Sequence, residues 1–190
     1  MRTHLLLVLA TALLFLGSCT AAEPPKQEAA APPPPEFKLT GTIKDLMDSV
    51  IDPNADVIWE SVATTISVRG IEEKYPKTED EWKQVRRSAI ALMEGTNLLL
   101  MPGRHVAKPG EKAEDAGVEL QPEQIEALIN QDRTSWNKLA AELYESVIPV
   151  LEAIEKKDPE GVLNTSDAID RACENCHLKY WYPDEAKNLK

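Results

Sequence analysis

The stretch VLNTSDAIDRACENCHLKY, residues 162–180, decides the fold. Val162, Ser166, Ile169, Cys173, Cys176 and Tyr180 recur at steps of three and four, the spacing of one face of an α-helix. Pro183 stops the run, because proline lacks an N–H and its ring collides with the preceding turn. The start is expected after Asp158-Pro159 or, preferably, near Thr165. Both cysteines fall on the core-facing stripe, so whatever they carry should lie inside the helical packing and not on a surface loop.

Three further segments read the same way outward from this one, segment D. Segment C, residues 122–157, places Ile125, Leu128, Ile129, Trp136, Leu139, Leu143, Val147, Val150, Leu151 and Ile154 on one side. Pro149 is expected to kink it. Segment B opens at Thr78-Glu79-Asp80-Glu81, a capping-box pattern, and its seam is Trp82, Val85, Ala89, Leu92, Thr96 and Leu99. Pro102 and Gly103 end it. Segment A carries Leu39, Ile43, Leu46, Met47 and Val50. It is interrupted by Asp52-Pro53 as an N-cap and first-turn proline would do, and it resumes with Ile58, Val62 and Ile66. One kinked helix and two short ones fit equally. No strand alternation is read. With 5% aromatic residues, the expectation is an all-α, antiparallel four-helix bundle. Between B and C lies PGRHVAKPGEKAEDAGVEL, residues 102–120, containing His105; so long a polar connection is expected to be functional or mobile.

Cys173-Glu174-Asn175-Cys176-His177 is a C-x-x-C-H pattern, the signature of covalent haem attachment. The two thiols add across haem vinyl groups as thioethers, and the adjacent imidazole binds the iron from one side. The chain has three cysteines, and Cys19 belongs to an export signal, which leaves this pair and one haem c. A thiol–disulfide oxidoreductase could also use Cys173 and Cys176, but the motif closes a late helix and lacks a strand–turn–helix setting. Zinc would need a fourth ligand at a spacing nothing nearby supplies.

The ends point to the same compartment. Residues 1–18 read as a signal peptide, with Arg2 before the apolar run LLLVLATALLFLG. Leu16-Gly17-Ser18-Cys19 resembles a bacterial lipobox, which implies cleavage before Cys19 and its lipidation. The other reading is an ordinary secretory signal cut after Ala21 or Ala22. Residues 19–36 read as a lipidated Pro/Ala-rich tether, too polar to fold, with a polyproline reach on the order of 50 Å. Residues 37–190 form the domain. A periplasmic protein with a lipid anchor is expected. Thr20, unlike an aspartate there, favours the outer over the inner membrane. The net charge is −11, and losing Arg2 with the signal makes it one more negative. That disfavours nucleic acid and anionic lipid, and would steer a basic redox partner.

A C-x-x-C-H on the last of four helices resembles the cytochrome c′ family, the class II c-type cytochromes. The resemblance covers roughly residues 39–182, and its specific part is CENCHLKYW, with Tyr180 three residues past the histidine. It implies His177 as proximal iron ligand and, as in low-spin relatives, Met47 of segment A as the sixth ligand. It also implies dimerisation through helices A and B in some members. Trp181 and Tyr182 would cover a haem edge or close the end of the bundle. Arg171 and Lys179 would pair a propionate or simply face water. Met93, Met101 and His105 fit ligation less well than Met47. The function expected is single-haem electron transfer, with no catalytic constellation. The alternative is a five-coordinate haem that binds nitric oxide or carbon monoxide.

Overall fold

The computed structural model describes residues 36–185, and residues 37–190 make up one compact unit distinct from residues 1–36. The signal, the tether and Cys19 lie outside the described residues. The chain begins with α1 (Ile43–Leu46), whose Thr42 and Asp45 form a capping box. A π-helical turn, Met47–Ile51, leads without a break into α2 (Asp52–Ser61). Asp52-Pro53 therefore widens the helix instead of interrupting it. In the wide turn Asp52 N–H donates to the Met47 carbonyl, five residues back. Pro53 has no N–H to give and sits where the start of a helical turn needs none. The Asn54 side chain donates to the Val50 carbonyl at 2.8 Å.

The antiparallel four-helix bundle expected from the sequence is not what the chain adopts. Among the described residues, a two-stranded antiparallel sheet stands beside six α-helical segments. Its strands are β1 (Ala63–Ser67) and β2 (Gly70–Lys74), with Ile66 opposite Ile71 and Ser67 opposite Gly70. Val62 already has extended backbone. Ile66, expected on a helical stripe, lies on β1 and is 78% exposed. Gly70, at φ +123°, supplies the conformation that closes the two-residue turn.

From Thr78 onward the expected stripe holds. In α3 (Glu79–Leu99) the Thr78–Glu81 capping box forms, and every seam residue from Trp82 to Leu99 is buried. Segment C is two helices, not one. The first, α4 (Pro122–Gln131), stops at Asp132, and α5 (Arg133–Glu155) runs through Pro149 without ending. The break is local chemistry: the Asp132 carboxylate accepts from Ser135 N–H at 3.0 Å and caps α5. Finally α6 (Pro159–Tyr180) starts at the Asp158 cap, about two turns before Thr165. Val147, Val150, Val162, Ile169, Leu92 and Ile58 form the centre of a single core.

Residues 102–120 hold no helix or strand, yet they are fastened down. Ile43 N–H and Lys44 N–H donate to the carbonyls of His105 and Val106 at 2.9 and 3.0 Å. Lys44 pairs with Glu111 and Glu114, each at 3.1 Å, and Lys108 with Asp45 at 2.7 Å. Val106 is buried in the core, and Leu120 N–H donates to the Trp181 carbonyl at 2.7 Å. The connection is a strap joining the start of α1 to the end of α6.

Candidate functional site

The last two turns of α6 carry the C-x-x-C-H residues against the π-helical turn. An apolar pocket of about 20 Å³ is lined by Met47, Ile51 and Asp52 from the wide turn and its exit, and by Ala172, Cys173, Cys176 and His177 from α6. Leu99, Trp136, Leu139, Ala140 and Leu143 complete its wall. The structure thus brings Met47 to the same pocket as both cysteines and the histidine, across more than 120 residues of sequence. Met47, Asp52 and His177 also line a second, more polar cavity of about 160 Å³, whose outer wall is the strap. Lys44, Lys112, Glu114 and Glu119 stand around that mouth together with Trp181 and Tyr182.

The floor is rigid for identifiable reasons. Trp136 is 1% exposed, donates Nε1–H to the Leu99 carbonyl at 3.0 Å and meets Tyr180 edge-on at 5.4 Å between centroids. Arg133 also donates to the carbonyls of Leu99, Leu100 and Met101 at the end of α3. Lys179 pairs with Asp132 at 3.2 Å. One kink, at Asp132, therefore ties together the end of α3, the start of α5 and the end of α6. Asp132 is held at about 2, chiefly by its bonds to Ser135 and then by Lys179.

Burial sets the protonation of the motif. It pushes the Cys173 and Cys176 thiols up to about 12, with nearby carboxylates, Asp52 first, adding to it at Cys173. Their place at the C-terminal, negative end of a helix acts in the same sense. Both cysteines are free thiols. Burial also lowers the His177 pKa, opposed by the Asp52 and Glu174 carboxylates, so the imidazole is neutral at neutral pH. A neutral imidazole is the form that binds a metal. Trp181 and Tyr182 lie 5.7 and 6.0 Å from the His177 ring, between centroids. Tyr182 donates to Glu174 at 2.8 Å.

The other candidates sit elsewhere. Met93 is core, and Met101 touches Arg104; neither lines the two cavities. His105 is on the outside, 2.9 Å from Glu126. Arg171 is exposed, and Lys179 is engaged by Asp132. Sequence reasoning missed Asp52, Lys44, Lys112 and the strap as parts of the site. Asp52 faces the same pocket as Met47 only through the wide turn, five residues on, which α-helical spacing does not reveal.

In donor chemistry the residues suit an amphiphilic macrocycle with carboxylate tails, although the inner pocket of about 20 Å³ would have to open to admit one. Apolar side chains and two thiols surround the inner pocket, an imidazole and a thioether are both on its wall, and lysines stand at the polar mouth. Among the described residues no cluster of three or more His, Cys, Asp and Glu could hold a bare metal ion, and no helix is long and apolar enough to cross a membrane. Comparison with family models, with curated proteins and with solved structures yields no match.

Proposed function

We propose that the chain is a single-haem c-type cytochrome that carries electrons in the periplasm, held to the membrane by lipid on Cys19. The observation that carries the reading is one apolar pocket lined by Met47, Cys173, Cys176 and His177. Haem c, when bound, supplies a one-electron iron couple. The chain's residues do the rest. Cys173 and Cys176 would hold it as thioethers, each S–H adding across a vinyl group so that no oxidant would be consumed. His177 offers a neutral nitrogen, and Met47 a soft sulfur that favours ferrous iron and raises the potential. Leu99, Leu139, Ala140 and Leu143 exclude water, and Lys112 stands at the outer cavity where a carboxylate tail would emerge, Lys44 there being held by Glu111 and Glu114. The reading now rests on the motif and Met47, and the likeness to class II cytochromes no longer extends to a four-helix bundle. A basic redox partner suits the acidic chain.

Thiol–disulfide exchange is the weaker account, because its attacking cysteine needs a lowered pKa and these are raised. The deciding experiment is the visible spectrum of the haem-matured full chain, oxidised, reduced, and reduced under carbon monoxide. A sharp low-spin spectrum unmoved by the gas, with Met47→Ala opening the site to it, is expected. A broad high-spin spectrum that shifts with the gas would transfer the function to nitric oxide or carbon monoxide binding. Absence of haem after correct maturation would return the pair to thiol chemistry.

A further inference from the structure

Gly95 lies buried in the interior of α3, where glycine is unfavourable compared with alanine. A Cβ placed there would meet Ile51 Cδ1 at 2.7 Å and Val50 Cγ1 at 3.1 Å. The first separation is closer than side-chain carbons approach, so either the terminal methyl of Ile51, packed in at 1% exposure, or the turn that carries it must move. Both partners belong to the π-helical turn that begins at Met47. We propose that Gly95 is a positioning residue for Met47: the absent side chain lets the wide turn lie against α3, and the wide turn sets the thioether in the haem pocket. The inference deepens the proposed function and rests on Met47 as the sixth ligand.

The turn transmits the contact because it is one hydrogen-bonded unit. Met47 N–H donates to the Ile43 and Lys44 carbonyls, and the Met47 carbonyl accepts from Asp52 N–H. Ile51, 1% exposed, anchors the far side of the same ring against α3 and also lines the inner pocket beside Met47. A wide turn holds one residue more than an α-helical turn. If crowding at Ile51 tightened it to α-helical register, everything before it would rotate by roughly 100° about the helix axis. Met47 would then leave the pocket face. Single wide turns inside α-helices are found frequently at functional sites, where they re-aim a side chain.

The test uses the haem-loaded full-length protein and reads the charge-transfer band between thioether sulfur and ferric iron, together with carbon monoxide binding. The native chain should show the band and exclude the gas. Gly95→Ala should lose the band and admit carbon monoxide, the ratio of methionine-bound to methionine-free iron falling at least about tenfold. Its covalent haem and helix content should stay unchanged. Adding Ile51→Val removes the clashing Cδ1 and should restore the band. Should Gly95→Ala fail to accumulate, the double variant carries the test: a band supports the steric account, and no band, or no protein, overturns it. A Gly95→Ala protein with the native band overturns it as well. A native protein that lacks the band and takes up carbon monoxide removes the ligation reading itself, and this inference with it.

Discussion

The two ends of α6 face opposite situations. At its start the helix borders a groove of about 930 Å³ whose far wall is the base of the hairpin, and beyond that base the hairpin leaves apolar side chains in water. Ile66 and Ile71 are 78% and 68% exposed, and Val68 at the tip is wholly exposed. At its end the same helix half-buries two thiols and an imidazole among Leu, Trp and Met side chains. Hydrophobicity alone would predict the reverse. Polar, ionisable groups are withdrawn from water only where surrounding packing holds them, and that costs stability unless something binds them. Raised thiol pKa values at one end and unused apolar surface at the other therefore separate a site from a surface. The sorting is done by the rest of the core, not by α6 itself.

The largest effects should fall at the buried end. Cys173→Ser with Cys176→Ser should abolish covalently attached haem, read as haem that stays with the denatured, precipitated chain. Ile66→Ser with Val68→Ser, at the other end, should leave haem content unchanged. Equal losses at both ends would break the contrast. Trp136→Ala removes a fully buried ring, its bond to Leu99 and its contact with Tyr180. It should destabilise the domain by about 3–5 kcal/mol in urea unfolding, and open the floor of the pocket.

A smaller effect sharpens the comparison through pH. Asp132, which caps α5 and ties it to α6, and Asp45, which fastens the strap, are both held at about 2 against an ordinary 3.8. Both pKa values are depressed in the folded chain. Their stabilisation is thus complete above about pH 4 and is lost as pH falls through about 2. The melting temperature should decline across that window, and Asp132→Asn should flatten the decline. Asn substitution that leaves the acid slope untouched would mean the junction carries no linked charge.

Legibility in the sequence followed how local each cause is. The seam of α3 and its capping box depend on spacing and on four consecutive residues, and they stand as read. The α6 stripe was also legible, and of the two starts the sequence offers, the one after Asp158-Pro159 and not the preferred one near Thr165 is adopted. Asp132 was passed over because the apolar stripe continues on both sides of it, yet Asp132 followed by Ser135 is itself a cap signal. The hairpin was hidden by coincidence: Ile58, Val62 and Ile66 are spaced like a helix face. The β-branched run Thr64-Thr65-Ile66 and the turn glycine Gly70 were the competing signals, and they prevailed. The wide turn could not be read at all, since it depends on a glycine forty-odd residues away. At the site, the motif declared itself and Met47 came from the resemblance. The strap and the charged mouth required the fold.

The weakest expected effect is the one that tests whether the hairpin is an independent appendage. Its strands bury almost nothing, their register pairs Ile66 with Ile71, and Gly70 at φ +123° closes the turn. A cross-strand aliphatic pair contributes about 0.2–1 kcal/mol, and exposed substitutions usually change global stability by less than about 0.5 kcal/mol. Ile66→Thr with Ile71→Thr should therefore leave the urea midpoint nearly unmoved. Gly70→Ala, strained at that backbone angle, should speed amide exchange across residues 63–74 while the amides of Ile169 and Val147 stay as slow as before. The physical reason is that local opening of a segment with few buried contacts costs little and need not involve the core. If either variant instead lowered global stability by several kcal/mol or reduced haem loading, the hairpin would be coupled to the buried end through Val62 and Trp82. The contrast between the two ends of α6 would then be a matter of degree.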